Sequence, residues 1–300
     1  MTGVASGVVP QLTWNLIGDV RQALVFPFMV NAFRAGAIVA VLSGLVGWFM
    51  VLRRQSFAGH TLAVVGFPGA AGATLIGVSA TYGLFAFALV AALLIGLVPS
   101  TRGRGYSEES AVTGSIQAFA LATGFLFVSL YGGFLSGANA LLFGSFLGIT
   151  AGQVRTLLAV AVVAVVALAV IARPLLFASV DPDVARARGV PVRALSVGFL
   201  LLLGSAAAEV SQITGTLLVF ALLVVPAATA QMWTTGPARS VVITVALGVT
   251  VTWLSLLIAY YSPYPIGFFL TTVAFAIYLL SAFLRHTARR AHSRSVVGAR

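Results

Sequence analysis

The sequence predicts an all-α fold, a polytopic bundle of about eight or nine membrane-spanning helices, from three observations. Hydrophobic residues make up 60% of the chain and charged residues only 8%, whereas a soluble domain has roughly 25% charged residues. Long uncharged runs recur, each near the roughly 20 apolar residues that cross a bilayer. These runs are apolar at every position, unlike the alternating strands of a membrane barrel. Helices that span the membrane are therefore expected.

Nine runs are long and apolar enough to be predicted as spans. They are residues 28–52, 62–80, 82–99, 111–131, 154–173, 194–210, 213–232, 240–260 and 266–284. Residues 1–25 are too polar to span, so we expect an interfacial segment outside the cytoplasm, followed by a membrane domain over residues 26–285. Residues 286–300 form a basic tail.

The arginines orient the chain. All 17 basic residues are arginine, and cytoplasmic loops are enriched in positive charge. Nine spans with a cytoplasmic C-terminus place fourteen of them inside: Arg53, Arg54, Arg102, Arg104, Arg173, Arg186, Arg188, Arg193, Arg239, Arg285, Arg289, Arg290, Arg294 and Arg300. Arg21, Arg34 and Arg155 remain outside, and Arg34 is expected to extend to the interface. This distribution fits contact with membrane lipid, and no nucleic-acid partner is expected.

Three segments interrupt the apolar pattern. Residues 132–153 contain an apolar stretch too short to cross, which suggests a segment that enters the membrane and returns under cover of protein or water. Pro68 in GFPGAAGA and Pro226 in VVPAATA lie inside predicted spans. Such paired breaks are typical of transport paths, although proline is also common in membrane helices without that role.

Two ionisable residues inside the predicted spans or at their ends are candidates for a functional role, because such residues are costly in lipid. His60 begins the second span, where it either bonds to backbone or water at a helix start or lines a path and contacts a cation. Glu209 lies at the outer end of the sixth span, facing either an outer vestibule or water.

A short amphipathic helix is predicted between the fifth and sixth spans. Asp181 followed by Pro182 is typical of a helix start, and Gly189 followed by Pro191 is typical of a helix end. The segment also contains Asp183, Arg186 and Arg188. It either covers helix ends or docks a cytoplasmic partner.

The composition also argues against catalysis by this chain. His60 has no Asp or Ser partner nearby in the sequence, and without cysteine there is no thiolate metal site. A nucleotide-binding Walker A loop requires lysine, which is absent. We therefore expect no enzyme activity and no bound cofactor, and ATP-driven transport would need a separate subunit.

Six segments in order resemble the ABC-3 family, the permease subunits of bacterial ABC importers for zinc, manganese or iron. They are residues 31–69, 106–124, 141–150, 173–192, 213–230 and 260–280. The resemblance implies a type II ABC importer fold, a homodimer in the bacterial plasma membrane, an extracytoplasmic substrate-binding protein, and a cytoplasmic ABC ATPase subunit that binds ATP.

The resemblance also implies roles for individual residues. The segment containing Asp181, Asp183, Arg186, Arg188 and Gly189 would be the ATPase-coupling helix. A divalent metal would pass a translocation path near its candidate residues, which are His60, Thr61, Pro68, Glu209 and Pro226.

The second span departs from the family pattern. Family members commonly have an Asp and a His four residues apart there, one turn along the same helical face. This chain has His60 and Val64 at those positions, so His60 is the one candidate metal ligand. Either it combines with carbonyl groups and waters, or the cargo is not a bare ion.

Two alternatives to import of a bare metal remain open. The cargo could be an organic or chelated substrate, favoured by the missing acidic ligand and by the aromatic turn of Tyr260, Tyr261 and Tyr264. The protein could also be a secondary transporter or channel that works without nucleotide.

Overall fold

The computed structural model describes residues 16–97, 106–131, 144, 146–216 and 218–297. Within these residues it contains eleven α-helices, one 3-10 turn at Phe146–Gly148, and no strand. The helices are α1 (Leu16–Leu24), α2 (Pro27–Leu52), α3 (Ser56–Leu75), α4 (Ala80–Leu97), α5 (Tyr106–Leu130), α6 (Ala151–Val180), α7 (Pro182–Ala187), α8 (Val192–Thr214), α9 (Val219–Trp233), α10 (Pro237–Tyr260) and α11 (Ile266–Val297).

The predicted all-α membrane fold is confirmed. Each of the nine predicted spans lies mainly over one helix, and seven of the described helices are long and apolar enough to cross a membrane. The other two overlapping helices are α3 and α9, which contain Pro68 and Pro226. The chain is therefore a multi-pass membrane protein.

Helix α3 begins six residues before the predicted span at residue 62, so its first two turns include Ser56 and His60. A span bounded by its apolar residues omits these polar positions, although His60 was expected at its beginning. In the structure α3 packs against α4 and α5, and its middle residues are buried by protein. Polar residues can therefore extend the helix without meeting hydrocarbon.

Helix ends rich in arginine meet on one side of the bundle. Arg53, after α2, donates hydrogen bonds to Ser179 near the end of α6 and to Ser196 at the start of α8. Arg193 donates to the carbonyl of Leu97 at the end of α4. We call this side, which contains Arg53, Arg54, Arg173, Arg193 and Arg239, the arginine-rich face.

Helix α9 begins inside the bundle rather than at its surface. The predicted span 213–232 was wrong at its start, because α8 continues to Thr214 and Gly215 then adopts φ +76°. Gly47 of α2 contacts the carbonyl of Leu223, and Gln231 donates to the carbonyl of Trp48. Leu223 of α9 therefore lies at the level of Gly47 of α2. Val219 begins α9 four residues before Leu223, and α2 continues five residues beyond Gly47. At 1.5 Å per residue, α9 starts about 14 Å from the arginine-rich end of α2.

The 3-10 turn also lies within the bundle. Phe146 is 1% exposed, and a Cβ built on Gly36 would lie 3.8 Å from its ring. Asn31 donates to the carbonyl of Ile149. The described part of the segment predicted to enter the membrane therefore packs along α2, while residues 132–143 and 145 lie outside the described residues.

Small residues allow the backbones of α3 and α4 to touch. A Cβ on Gly69 would meet the carbonyl oxygen of Gly83, and a Cβ on Gly83 would meet that of Gly69. Neither contact can be relieved by a side-chain rotation, because both partners are backbone atoms. Side chains larger than hydrogen at these two positions would push the helices apart.

We expect Gly69→Ala to destabilise the protein by about 1–3 kcal/mol, the usual cost of overpacking. Thermal unfolding of the detergent-solubilised protein would show a lower Tm. The matched control is Gly198→Ala in α8, where nothing lies within 4 Å of the added Cβ. Equal melting temperatures for the two variants would contradict the close contact of α3 and α4.

Candidate functional site

Helix α3 holds two of the predicted path residues, His60 and Thr61, near its start. His60 is partly buried, and its ring packs edge-to-face on Phe220 of α9 with centroids 5.2 Å apart. Its Nδ1 is buried without a hydrogen-bond partner among the described residues. The ring is therefore positioned by an aromatic contact, which leaves a nitrogen available to a ligand.

Thr61 and Val64, unlike His60, have no polar atom that lacks a partner among the described residues. Thr61 is fully buried and its hydroxyl donates to Oε1 of Gln117 on α5, at 2.8 Å. This hydroxyl ties α3 to α5. Val64, which replaces the second ligand expected from the resemblance, is 4% exposed and purely apolar. Of these three residues, His60 alone presents an unpartnered polar atom.

The two prolines are buried at helix contacts. A Cβ on Gly124 of α5 would lie 3.1 Å from Cα of Pro68, so α5 crosses α3 at this proline. Pro226 is buried within α9. Both residues fit close helix packing, and their role in a path stays a prediction.

Glu209 places a buried carboxyl group inside the membrane helix α8. It is 0% exposed in α8, and neither Oε1 nor Oε2 has a hydrogen-bond partner there. The preceding residue, Ala208, belongs to the same small apolar cluster as Ala70 of α3. Glu209 therefore lies near the level of Ala70, which is about 15 Å along α3 from His60.

Thr216 is a site residue that the sequence did not predict. It lies in the turn between α8 and α9, is 1% exposed, and its hydroxyl has no partner among the described residues. A Cβ on Gly66 would lie 3.6 Å from its methyl group, so Thr216 sits between the levels of His60 and Glu209. The prediction placed it inside a helix; the only sequence signal was Gly215 beside it.

Three unpartnered polar groups thus follow α3 from one half of the bundle to the other. Counting from His60, Thr216 lies about 9 Å along the helix and Glu209 about 15 Å. They supply nitrogen, hydroxyl and carboxyl ligands, which suit zinc, manganese or iron. Among the described residues no group of three or more His, Cys, Asp or Glu could hold a metal ion. This line can assist passage, but it is not a closed metal site.

A polar cleft opens on the side away from the arginine-rich face. It lies between α4, α6 and α8 beside the 3-10 turn, and its lining includes Thr81, Gln153, Thr156 and Gln212. Gln212 accepts a hydrogen bond from Thr81. Because residues three apart share one helix face, Glu209 lies one turn deeper than Gln212 on that face of α8.

The cleft has an apolar floor. Leu157 and Ile213 line it, yet they are only 4% and 2% exposed and belong to the hydrophobic core. Glu209, one turn deeper on α8 than Gln212, is 0% exposed. The carboxyl group is therefore closed off from the cleft in this structure.

The predicted short helix is present on the arginine-rich face as α7. Asp181 accepts a hydrogen bond from the backbone amide of Val184, and Pro182 occupies the first turn. Gly189 ends the segment with φ +80°. Asp183 pairs with Arg186 in solvent, whereas Ala185 is fully buried and anchors the helix.

An open groove runs beside α7. Its lining residues are Arg186, Pro191, Val192, Arg193, Ala194 and Val197. A Cβ on Gly189 would contact nothing within 4 Å, and Arg188 is exposed. The segment thus offers a small, accessible surface that carries both acidic and basic side chains. Its role as a docking site stays a prediction.

The chain is similar to known transport proteins over most of its length. The model of the ABC 3 transport family matches residues 25–285. The manganese import system permease protein ScaB of Streptococcus parasanguinis is 27% identical, covering 88% of this chain and 93% of that protein. The chelated iron transport system membrane protein YfeC of Yersinia pestis is 29% identical, covering 87% and 88% respectively.

A solved structure shares the fold. The structure of PsaBC from Streptococcus pneumoniae in complex with Fab superposes with a TM-score of 0.78 at 24% identity. The match covers 89% of this chain and 95% of the other. The helical arrangement described above is therefore that of a known membrane architecture.

We expect Asp181→Ala to weaken α7 by about 1 kcal/mol, because the backbone amide of Val184 loses its cap. Hydrogen–deuterium exchange of the amides of residues 184–187 would accelerate roughly fivefold. Asp183→Ala is the control, since its exposed ion pair contributes little. Unchanged exchange in Asp181→Ala would contradict the capping role.

Proposed function

The chain belongs to the ABC 3 transport family, and from this premise we propose that it is the permease subunit of an ABC importer for a divalent metal ion, such as manganese, zinc or iron. A separate ATPase subunit hydrolyses ATP, because this chain has no lysine for a Walker A loop. The observation that most supports a cation as cargo is the buried, unpartnered carboxyl of Glu209.

Burial of the Glu209 carboxyl group without a partner among the described residues carries a large electrostatic cost. A carboxylate buried without a partner is strongly unfavourable, and such residues in membranes are usually functional. A passing divalent cation supplies the missing opposite charge. The group would then bind cargo for only part of the transport cycle, as release on the far side requires.

The proposed route runs from the polar cleft to the arginine-rich face. The cation enters beside Thr81 and Gln212, passes the apolar floor when Leu157 and Ile213 separate, and reaches Glu209. It then meets Thr216 and His60 along α3. Pro68 and Pro226 lie in the two helices that flank this line, and Thr61 holds α3 to α5.

The proposed orientation in the membrane follows from the distribution of the arginines. The arginine-rich face is cytoplasmic under the positive-inside rule, so the C-terminus lies inside and the bacterial plasma membrane surrounds the bundle. An extracytoplasmic substrate-binding protein docks over the cleft. Because the described ligands are too few for a complete metal site, a second copy of this chain in a homodimer, backbone carbonyls or water completes the coordination.

Helix α7 is proposed as the coupling helix. Asp181, Asp183, Arg186, Arg188 and Gly189 form a capped and exposed segment on the proposed cytoplasmic face. The ATPase binds this segment, and its opening and closing move the helices on either side. The ATPase is thereby connected to the path without any nucleotide site in this chain.

Import of a chelated or organic substrate is the second candidate. It is supported by the lack of a group of three metal ligands among the described residues. The similarity to a chelated iron transport system protein is consistent with it. Tyr260 and Tyr261 stack edge-to-face at 4.8 Å at the end of α10, where aromatic rings could contact a larger cargo.

We expect Glu209→Gln to lower uptake of the transported ion about tenfold or more, since even groups that only support a metal ligand are worth about 10–100-fold in affinity. Radiolabelled Mn²⁺, Zn²⁺ and Fe²⁺, free and chelated, would be offered singly to a deletion strain that expresses each variant. His60→Ala should act in the same direction.

Ser255→Ala is the matched control for Glu209→Gln. The Ser255 hydroxyl is also buried and unpartnered among the described residues, but it lies on α10, which packs against α2, α9 and α11. Wild-type uptake by Glu209→Gln would contradict its role in the path. Unchanged uptake of all three free ions on deletion would contradict metal-ion import itself.

We expect Gly189→Trp to block coupling, because a bulky side chain would project from the exposed end of the docking segment into the ATPase. Uptake should fall at least about tenfold while the protein still inserts and the ATPase still hydrolyses ATP. Gly189→Ala is the control, since alanine carries the same strain at φ +80° without the bulk. Wild-type uptake by the Trp variant would exclude α7 as the docking site.

A further inference from the structure

The side chain of Arg53 connects three helix ends on the arginine-rich face. Its Nη1 donates to Oγ of Ser179 at 3.0 Å, and its Nη2 donates to Oγ of Ser196 at 2.7 Å. Its Nε donates to Oε1 of Gln55 at 3.1 Å. The guanidinium also lies over the ring of Phe199, 5.4 Å from the centroid. Each side of the planar group therefore has a defined contact.

The two serines bracket the docking segment. Ser179 precedes the helix cap Asp181 by two residues, and Ser196 lies in the second turn of α8, after the segment has ended. A displacement of α7 relative to the bundle would move the adjoining parts of α6 and α8, which contain these two serines. The guanidinium holds both of them to the same point.

The third contact leads to the proposed path. Gln55 immediately precedes α3, and His60 lies five residues later in its first turns. Arg53 is itself the residue that caps α2, and its backbone amide bonds to the carbonyl of Phe49. A Cβ on Gly59 would meet the sulfur of Met50, so α2 and α3 are tightly packed here. Movement of the guanidinium would therefore shift the start of α3.

We propose that Arg53 is a positioning residue that transmits movement of α7, when the ATPase opens and closes, to the end of α3 that holds His60. This inference rests on the proposed function and adds a role for a residue outside the path and outside the docking segment. The guanidinium suits this role because its rigid fork holds two acceptors in fixed directions, whereas a lysine ammonium is a single point of charge.

The test measures how much cargo moves for each ATP hydrolysed. The complete importer, made of this permease, its ATPase and its binding protein, is reconstituted in proteoliposomes with radiolabelled Mn²⁺, Zn²⁺ or Fe²⁺ offered singly. We expect Arg53→Lys and Arg53→Gln to lower the ratio of uptake to hydrolysis by about tenfold, as the loss of a charge-assisted bond predicts. Copurification of the ATPase should be unchanged.

A second variant avoids any change to the arginine. Ser179→Ala together with Ser196→Ala removes both hydroxyl acceptors through small, volume-conserving changes, and it should reproduce the lowered ratio. In the Arg53→Gln background the same two changes should have no further effect, since the bonds are already gone. Arg54→Asn is the control, because Arg54 is exposed and its φ of +57° is tolerated by asparagine.

Three outcomes distinguish a coupling role of Arg53 from a structural role and from failure of the proposed metal-ion import. A purely structural role would lower the melting temperature and reduce uptake and hydrolysis in proportion, leaving their ratio constant, and this would overturn the proposal. An unchanged ratio in the double serine variant would also overturn it. If the wild-type importer moves none of the three ions while hydrolysing ATP, metal-ion import fails as the proposed function, and the role of Arg53 falls with it.

Discussion

Polar groups inside this bundle depend on other protein groups, because lipid hydrocarbon offers no hydrogen-bond partner. Much of the described interior obeys this constraint in simple ways. Thr229, Thr244 and Thr252 donate to backbone carbonyls one turn earlier in their own helices. The indole of Trp48 donates to the hydroxyl of Ser240 at 2.8 Å. Against this background, His60, Thr216 and Glu209 have buried polar atoms without a partner among the described residues, and the proposed path gives these atoms a role.

The same constraint explains why these exceptions lie along α3. This helix packs against α4 and α5, and glycines such as Gly69 let its neighbours approach to backbone contact. The turn between α8 and α9 exposes backbone inside the bundle, which is tolerated because Gly66 and Gly144 pack against it. Protein rather than lipid therefore surrounds the proposed path, and a polar route can exist there without disrupting the membrane helices.

Energy for transport has to reach this interior from outside the membrane. Helix α7 is almost entirely exposed, with Ala185 as its buried anchor. Its flanking helices, α6 and α8, extend into the bundle and contact one another. Helix α8 contains Glu209 near one end and the Arg53 contact near the other. Helices α6 and α8 would thus connect the proposed docking surface mechanically to the buried carboxyl group.

The sequence alone determined the elements whose signals are local. Span composition depends on about 20 consecutive residues, and the α7 cap depends on Asp181 and Pro182 being adjacent, so the seven span-length helices and the short helix were predicted. The early start of α3 at Ser56, the late start of α9 at Val219, and the position of Thr216 were not. These depend on which residues far apart in the chain cover a polar turn. Only the tertiary structure decides whether Ser56 and Thr216 face protein or lipid, and thereby that Glu209, Thr216 and His60 share one line.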